Sequence, residues 1–360
     1  MKITFLTYLA AQNGGNRVIS IYAQKLLDAG HDVHIVSRRP QQQSPLRKLI
    51  SRLQGRRQIP KDHTLFFDAL GPRHILLPWR VPVKPSDLPD ADILIATHWR
   101  TAFEASAMPA SKGKKVYFVQ HHEVHGHVQW DISRGTYFLP MKKITIADWL
   151  VDTMARDYGD TDVVKVENSV DTELFTAPPR ARNATPVVGL YYTSKPFKGT
   201  DISLKAIEIA RKSIPDLKVL AFSGKIPSKD LPLPDGTAFH RLPAQADIPG
   251  LYASCDAWLF GSRSEGFGLP LLESMACRTP VVATHAGAAP DLIDDGKNGY
   301  IVPVDDAEAM AARLVALLQA SPEAWRAMSD AAYDRVKDQN WDLAAQAFEA
   351  ALQDINASDP

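Results

Sequence analysis

Short runs of β-branched and aromatic residues alternate with longer amphipathic runs along the whole chain, and the alternation occurs twice. Such a pattern builds parallel sheets covered by helices on both faces. In the first half, strands are expected at 3–7, 33–36, 93–97, 116–120, 144–146 and 163–166, with a helix over 17–29 ended by Gly30. A stretch rich in proline and small polar residues at 175–186 then suits an interdomain connection. Beyond it, strands are expected at 187–191, 219–222, 257–260, 281–284 and 300–302, and helices at 201–214, 269–277 and 307–318. The tail turns helical, with 341–352 expected to pack across one domain or both. The expected architecture is two α/β, doubly wound, Rossmann-like domains, 1–170 and 171–340, with 341–360 returning toward the first. Two such domains facing each other would leave a cleft at the carboxyl ends of their strands, where open α/β sheets take ligands.

Composition narrows the functions available. With 360 residues and 45% hydrophobic content the chain can bury two cores, and no apolar run is long enough to cross a bilayer. Equal totals of 41 basic and 41 acidic residues argue against nucleic acid as the main partner. Cys255 and Cys277 are too few for a disulfide scaffold and read as small buried residues in a reducing compartment, so the cytoplasm is the expected location. Residues 2–11 have the charge and apolar length of a weak signal peptide, but they are better explained as a first strand running into a glycine turn.

Two segments carry the clearest chemistry. Ser264-Glu265-Gly266-Phe267-Gly268-Leu269-Pro270-Leu271-Leu272-Glu273 places a loop carboxylate eight residues before a second one, expected in the first turn of a helix. Gly266 and Gly268 permit unusual backbone shapes, Pro270 suits a helix start, and the amides there favour a phosphate. The alternative is a strand-loop-helix turn with two solvated acids. The second segment, Gln12-Asn13-Gly14-Gly15-Asn16-Arg17, puts a glycine pair at the mouth of a helix, where amides can approach a diphosphate or where the chain merely reverses tightly. It lacks the full dinucleotide fingerprint. Ser37-Arg38-Arg39 stands where an acid would hold a ribose, which disfavours a nicotinamide dehydrogenase.

Taken together, these residues resemble family 4 glycosyltransferases. Asn168-Ser169-Val170-Asp171-Thr172-Glu173-Leu174-Phe175 is similar to that family's Asn-Gly-Val-Asp-x-x-x-Phe element, and Lys198-Gly199 to its Lys-Gly pair. The Glu-x7-Glu segment continues into Ser274 to Thr284 and then Gly296-Lys297-Asn298-Gly299-Tyr300, in the family's order. The resemblance implies a GT-B fold and retaining, metal-independent transfer of a sugar from a nucleoside diphosphate sugar, with no cofactor, to a glycan or glycolipid acceptor. Without a metal, charge-assisted donors must stabilise the departing diphosphate. By position, Lys198 would be the main cation, Glu265 would lie by the transferred sugar, and Glu273 would accept from ribose hydroxyls. Gly14, Gly15, Gly266, Phe267, Gly268 and Leu269 would line the donor. Relatives pair the lysine with an arginine five residues earlier; here that position is Thr193, so Lys195 or Arg263 is the candidate second cation.

The first domain is expected to supply the acceptor side. A strand ends in His121-His122-Glu123-Val124-His125-Gly126-His127, and the resemblance places one of His121 and His122 by the reacting centre, with Glu123 as partner. The spacing does not specify a zinc site, and a surface loop is the plain alternative. Thr97-His98-Trp99-Arg100 ends another strand and could bond a sugar or simply cap the strand. The 38–61 stretch accumulates arginine and lysine without acids, with apolar residues at helical spacing; it reads as a solvated basic face or as a peripheral contact with an anionic membrane at its inner face. Two function classes stand: a polysaccharide- or glycolipid-building transferase, and a catalytically silent binder of sugar nucleotides or glycans, which the substitution at Thr193 motivates.

Overall fold

The computed structural model describes residues 1–11, 13–40, 66–79, 81–124 and 130–358. It divides into two compact units, one formed by Met1–Ile146, Leu150–Val166 and Ala345–Pro360, the other by Ala147–Trp149 and Glu167–Ala344.

The first unit is built on a seven-stranded sheet, all of whose paired strands run parallel: β1 (Lys2–Leu9), β2 (Asp32–Arg38), β3 (His74–Leu77), β4 (Ile93–Ala96), β5 (Lys114–Val119), β6 (Lys142–Thr145) and β7 (Val163–Lys165). Their order is β3-β2-β1-β4-β5-β6-β7, so the chain leaves β1 toward one edge and β4 toward the other. β3 was not legible in the sequence. Its burial is intermediate over three of four residues, as suits an edge strand lacking the apolar run of a central one. The helix Gly14–Asp28 is capped by Asn13, whose Oδ1 accepts from Asn16 N at 2.9 Å, while Asn16 Nδ2 donates to Leu9 O and Ala11 O and ties the turn to the end of β1.

The last helix, Trp341–Ala357, belongs to this unit from Ala345 onward. Phe348 is fully buried and stacks on Tyr22 at 4.4 Å, meets Phe118 edge-on at 5.1 Å and lies 6.3 Å from Phe5. His31 Nε2 bonds Glu349 Oε1 at 2.8 Å, and Lys114 Nζ donates to Ile355 O and Asn356 O. The final turns of the chain are therefore part of the first unit's aromatic core.

The second unit has a six-stranded parallel sheet in the order β10-β9-β8-β11-β12-β13, comprising β8 (Val187–Tyr191), β9 (Lys218–Ser223), β10 (Ala238–Arg241), β11 (Ala257–Phe260), β12 (Val281–Thr284) and β13 (Gly299–Val302). The helices Thr200–Ala210 and Ala307–Gln319 pack together on it through Leu204, Ile207, Met310 and Leu314. The first of them stops at Ala210, short of the 214 expected, and a turn carries Ile214 into the core. β10 also escaped the sequence reading, because its burial alternates exposed and intermediate.

The 175–186 stretch is not a free connection. Phe175 is buried, Arg180 Nη1 bonds the fully buried Asp256 at 3.0 Å, and Asn183 N and Val187 N donate to the same carboxylate. The stretch is packed on the second unit, and the change of unit falls instead between Val166 and Glu167.

Candidate functional site

In the second unit the sheet order reverses between β8 and β11, and there the loops leaving the two strands meet. After β8 the chain makes a single tight turn, Pro196–Lys198, that ends at Gly199 with φ 55°. Two bonds pin the β11 loop to this turn: Arg263 N and Ser264 N both donate to Phe197 O, at 2.8 and 3.1 Å. The consequence is a fixed pairing. Lys198 Nζ donates to Glu265 Oε1 at 2.5 Å, and Ser262 Oγ donates to the same oxygen at 3.0 Å. Glu265 is only 9% exposed, and the bonds from Lys198 and Ser262 offset the desolvation of a carboxylate at that depth. The Lys198 side chain is 30% exposed, so its ammonium is held on one side by the acid and reaches solvent on the other.

Gly266, Phe267, Gly268 and Leu269 continue from this acid into the helix Leu269–Ala276. Gly268 is the residue before the helix and has φ 103°; a Cβ there would lie 2.8 Å from the Phe260 ring. Ala288 N donates to Phe267 O at 2.8 Å, which fastens the loop to the chain after β12. The helix start offers fewer amides than the sequence suggested, since Pro270 has no N–H and Leu271 N is bonded to Gly268 O at 2.8 Å.

Glu273 is the fifth helical residue, one turn deeper than expected, and no acid occupies the first turn. It is 8% exposed, and Tyr252 OH donates to its Oε2 at 2.9 Å. Neither Tyr252 nor Ser262 was singled out in the sequence. Tyr252 acts across 21 residues, and a tyrosine in a short helix carries no local signal for a carboxylate partner.

The candidates for a second cation separate. Arg263 is committed: its guanidinium bonds Asp201 at 2.6 and 2.9 Å, Asp305 at 2.5 Å and Pro196 O at 2.5 Å, and these acids hold its pKa above the usual arginine value. It braces the loop and is not available to a ligand. Lys195 is exposed, with its ammonium 5.6 Å from the Phe197 ring, the same distance as that of Lys198. Although the residue is exposed, partial desolvation of its ammonium, then the neighbouring Lys198 and Lys225 ammoniums, hold Lys195 below the ordinary lysine range. Thr193 shapes the turn, its Oγ1 accepting from Lys195 N at 3.3 Å while its own N–H reaches Thr200 Oγ1.

The remaining candidates lie in the first unit. Gly14 and Gly15 open the helix after β1, and a Cβ on Gly15 would lie 3.6 Å from the Gln120 side chain. His121 Nδ1 bonds His122 O at 2.9 Å, and His122 Nε2 bonds Tyr158 OH at 2.7 Å. Burial lowers the pKa of His122, which keeps the ring neutral at pH 7. The Glu123 carboxylate reaches a third histidine. Its Oε2 accepts from Trp99 N at 2.7 Å and its Oε1 lies 3.3 Å from the Nε2 of His98, the residue that caps the helix Trp99–Ser106 just past β4. Burial pushes Glu123 up to about 8, and burial, followed by Arg100 and Arg38, pushes His98 down to about 3; the couple is neutral at pH 7. His125 and His127 lie outside the described residues, as do 41–61 of the basic stretch. Arg38, its first member, is buried and paired with Glu104, so it is not part of an exposed basic face. Among the described residues no group of three or more His, Cys, Asp or Glu is placed to hold a metal ion, and no helix is long and apolar enough to cross a membrane.

Residues 186–320, which include Thr193, Lys195, Lys198, Glu265 and Glu273, match the family described as Glycosyl transferases group 1. A GDP-mannose-dependent alpha-(1-6)-phosphatidylinositol monomannoside mannosyltransferase from Mycolicibacterium smegmatis is 32% identical over 197 residues, 48% of this chain and 50% of the relative. The chain thus matches about half the length of that relative. Among solved structures, sucrose-phosphate synthase from Thermosynechococcus elongatus superposes with a TM-score of 0.75 at 16% identity, covering 100% of both chains. Anabaena HepE in complex with UDP gives 0.73 at 17% identity over 98% of this chain and 100% of that one. At such identities the likeness shows the fold alone, which is GT-B, as the two parallel-sheet Rossmann-like units lead one to expect.

Proposed function

We propose, from the group 1 glycosyltransferase domain that residues 186–320 form, that the chain transfers a sugar from a nucleoside diphosphate sugar to a glycan- or lipid-linked acceptor, with retention and without a metal. The observation that carries this reading is the ammonium of Lys198 held 2.5 Å from the buried Glu265 at the reversal point of the second sheet. In the free protein Glu265 orients the ammonium. When the donor binds, Lys198 turns its exposed side to the diphosphate, where its charge offsets what develops on the leaving oxygens as the glycosidic bond breaks. Lys195 stands three residues earlier with its charge uncommitted to any carboxylate among the described residues, and it serves as the second cation. Glu265, relieved of part of its pairing, accepts from a hydroxyl of the transferred sugar. Glu273 accepts from the ribose hydroxyls, with Tyr252 holding its other oxygen in place. The chain works in the cytoplasm, and the basic stretch, without the buried Arg38, would bring it to the inner face of a membrane that carries the acceptor.

Turnover separates this from a silent binder, which remains in view because Thr193 brings no charge to the diphosphate side. The full chain is incubated with UDP-, GDP- and ADP-sugars, with and without EDTA, and release of nucleoside diphosphate is followed. Slow, EDTA-insensitive release from at least one donor supports transfer; no release with any donor, alone or with glycan and glycolipid acceptors, supports the silent reading.

A further inference from the structure

A short piece of chain after β6 makes a contact that the donor chemistry has left unused. Ala147–Trp149 run into the start of the helix Asp148–Tyr158 and belong to the second unit. There they meet two of its loops. The half-buried Trp149 donates from its Nε1 to Gly266 O at 2.8 Å, and Asp148 N donates to Asp291 Oδ2 at 3.3 Å. Asp291 lies on the helix Ala289–Leu292, and its carbonyl accepts from Arg335 Nη2 at 2.8 Å, so the residue that receives Asp148 is itself anchored.

The acceptor of the indole bond is what gives it weight. In a planar trans peptide the carbonyl of one residue and the N–H of the next point in opposite directions. With Gly266 O turned to Trp149, the Phe267 N–H is turned away from it. Ala288 N holds Phe267 O at 2.8 Å, and by the same rule the Gly268 N–H is turned away from Ala288. Phe267 and Gly268 are buried, and neither N–H has an acceptor among the described residues. Native folds leave few buried N–H groups unpaired, so two in succession call for oxygens from outside the chain. The two holds differ in kind. Ala288 is fixed by backbone packing, since a Cβ on the preceding Gly287 would lie 2.5 Å from Phe267 O. The Gly266–Phe267 plane follows a glycine, which has no Cβ to restrict its rotation, and a side-chain N–H holds it.

We propose that Trp149 is a positioning residue for transfer: its indole N–H sets the Gly266–Phe267 peptide so that the Phe267 and Gly268 N–H groups meet hydroxyl oxygens of the transferred sugar. The sugar is their partner because both amides closely follow Glu265, the acid that accepts from that sugar. The inference rests on the donor reading given above. Trp149 itself touches no substrate; it acts through the peptide it holds.

Removing the N–H without the ring tests this. The full chain is compared with Trp149→Phe and with a protein carrying benzothienylalanine in place of Trp149, in which sulfur replaces the indole N–H and the shape is kept. Urea midpoints, calorimetric affinities for UDP, GDP and ADP, and kcat and KM for the sugar nucleotide that the wild type uses are measured. The isostere should keep the wild-type midpoint and bind nucleoside diphosphate within about twofold of wild type, while its kcat falls at least about tenfold. Trp149→Phe should lose at least as much in kcat. A wild-type kcat in the isostere overturns the proposal. So does an isostere that fails to fold, or one whose nucleoside diphosphate affinity falls as far as its kcat, either of which makes Trp149 a structural prop. A wild type that binds none of the three nucleotides, or turns over no donor, overturns the donor reading instead.

Discussion

Replacing Gly199 by alanine tests how the second unit holds its key cation. Gly199 has φ 55°, and its backbone packs against the end of β11 so closely that a Cβ would lie 1.6 Å from Gly261 O. Left-handed backbone costs an L-residue roughly 1–2 kcal/mol by itself. The clash adds to that. Real side-chain carbons keep at least 3.0 Å from such an atom, so the turn must move off the β11 loop by roughly 1.4 Å in a region packed without voids. That movement breaks the bonds from Arg263 N and Ser264 N to Phe197 O and carries Lys198 away from Glu265. The expected loss is about 3 kcal/mol or more of unfolding free energy, read by urea unfolding. Because an error of about 1 Å in positioning can cost about 100-fold in rate, transfer or donor hydrolysis should fall by at least that factor in the fraction that remains folded. A Gly199→Ala protein that unfolds at the wild-type midpoint and turns over donor at the wild-type rate would refute the argument that this contact places Lys198.

Other outcomes follow from the same geometry. Lys198→Gln should fold, since Glu265 keeps Ser262 and gains an amide, yet lose about 100- to 1,000-fold in turnover, measured with whichever donor the wild type uses. Tyr252→Phe removes a bond to a buried carboxylate and should cost about 1.5–3 kcal/mol in thermal or urea unfolding. If that carboxylate holds the ribose, Glu273→Ala weakens nucleotide binding by more than about tenfold, a loss that Tyr252→Phe does not share. Glu123 gives a pH signature: its folded pKa of about 8 is above the unfolded 4.5, so its cost to stability grows as pH rises between them. His98, lowered from 6.5 to about 3, opposes that trend only below pH 6.5. Between pH 6.5 and 8 the wild type should therefore lose up to about 2 kcal/mol relative to Glu123→Gln, and a constant difference between the two across that window would contradict the half-buried, neutral acid.

The legible parts of the sequence were those with strong local signals. Central strands such as β11 and β12 are continuous apolar runs and were found at their observed bounds, whereas the edge strands β3 and β10 carry mixed residues and were missed. Glu265 is singled out by its loop-and-helix segment and Lys198 by the family resemblance, and the structure puts the two in contact. Motif spacing could not show that Arg263 is bound to two aspartates 62 and 42 residues away, or that Glu123 turns to His98 rather than to its neighbours. Such choices are made by sheet register, which brings Tyr8, Arg38 and His98 to adjacent strand ends from distant parts of the chain. Phe175 and Arg180 mislead for a related reason: a proline-rich composition marks where regular structure stops, but it says nothing of whether the segment is packed.

The central claim, that the second unit grips a nucleoside diphosphate through Lys198 and Glu273, is tested most directly by calorimetric titration of the full chain with UDP, GDP and ADP in the presence of EDTA. The account predicts saturable binding of at least one of them, weakened more than about tenfold by Lys198→Gln and again by Glu273→Ala, with both variants folded by circular dichroism. It is contradicted if folded wild type binds none of the three, or if the nucleotide that binds does so equally well once both side chains are replaced.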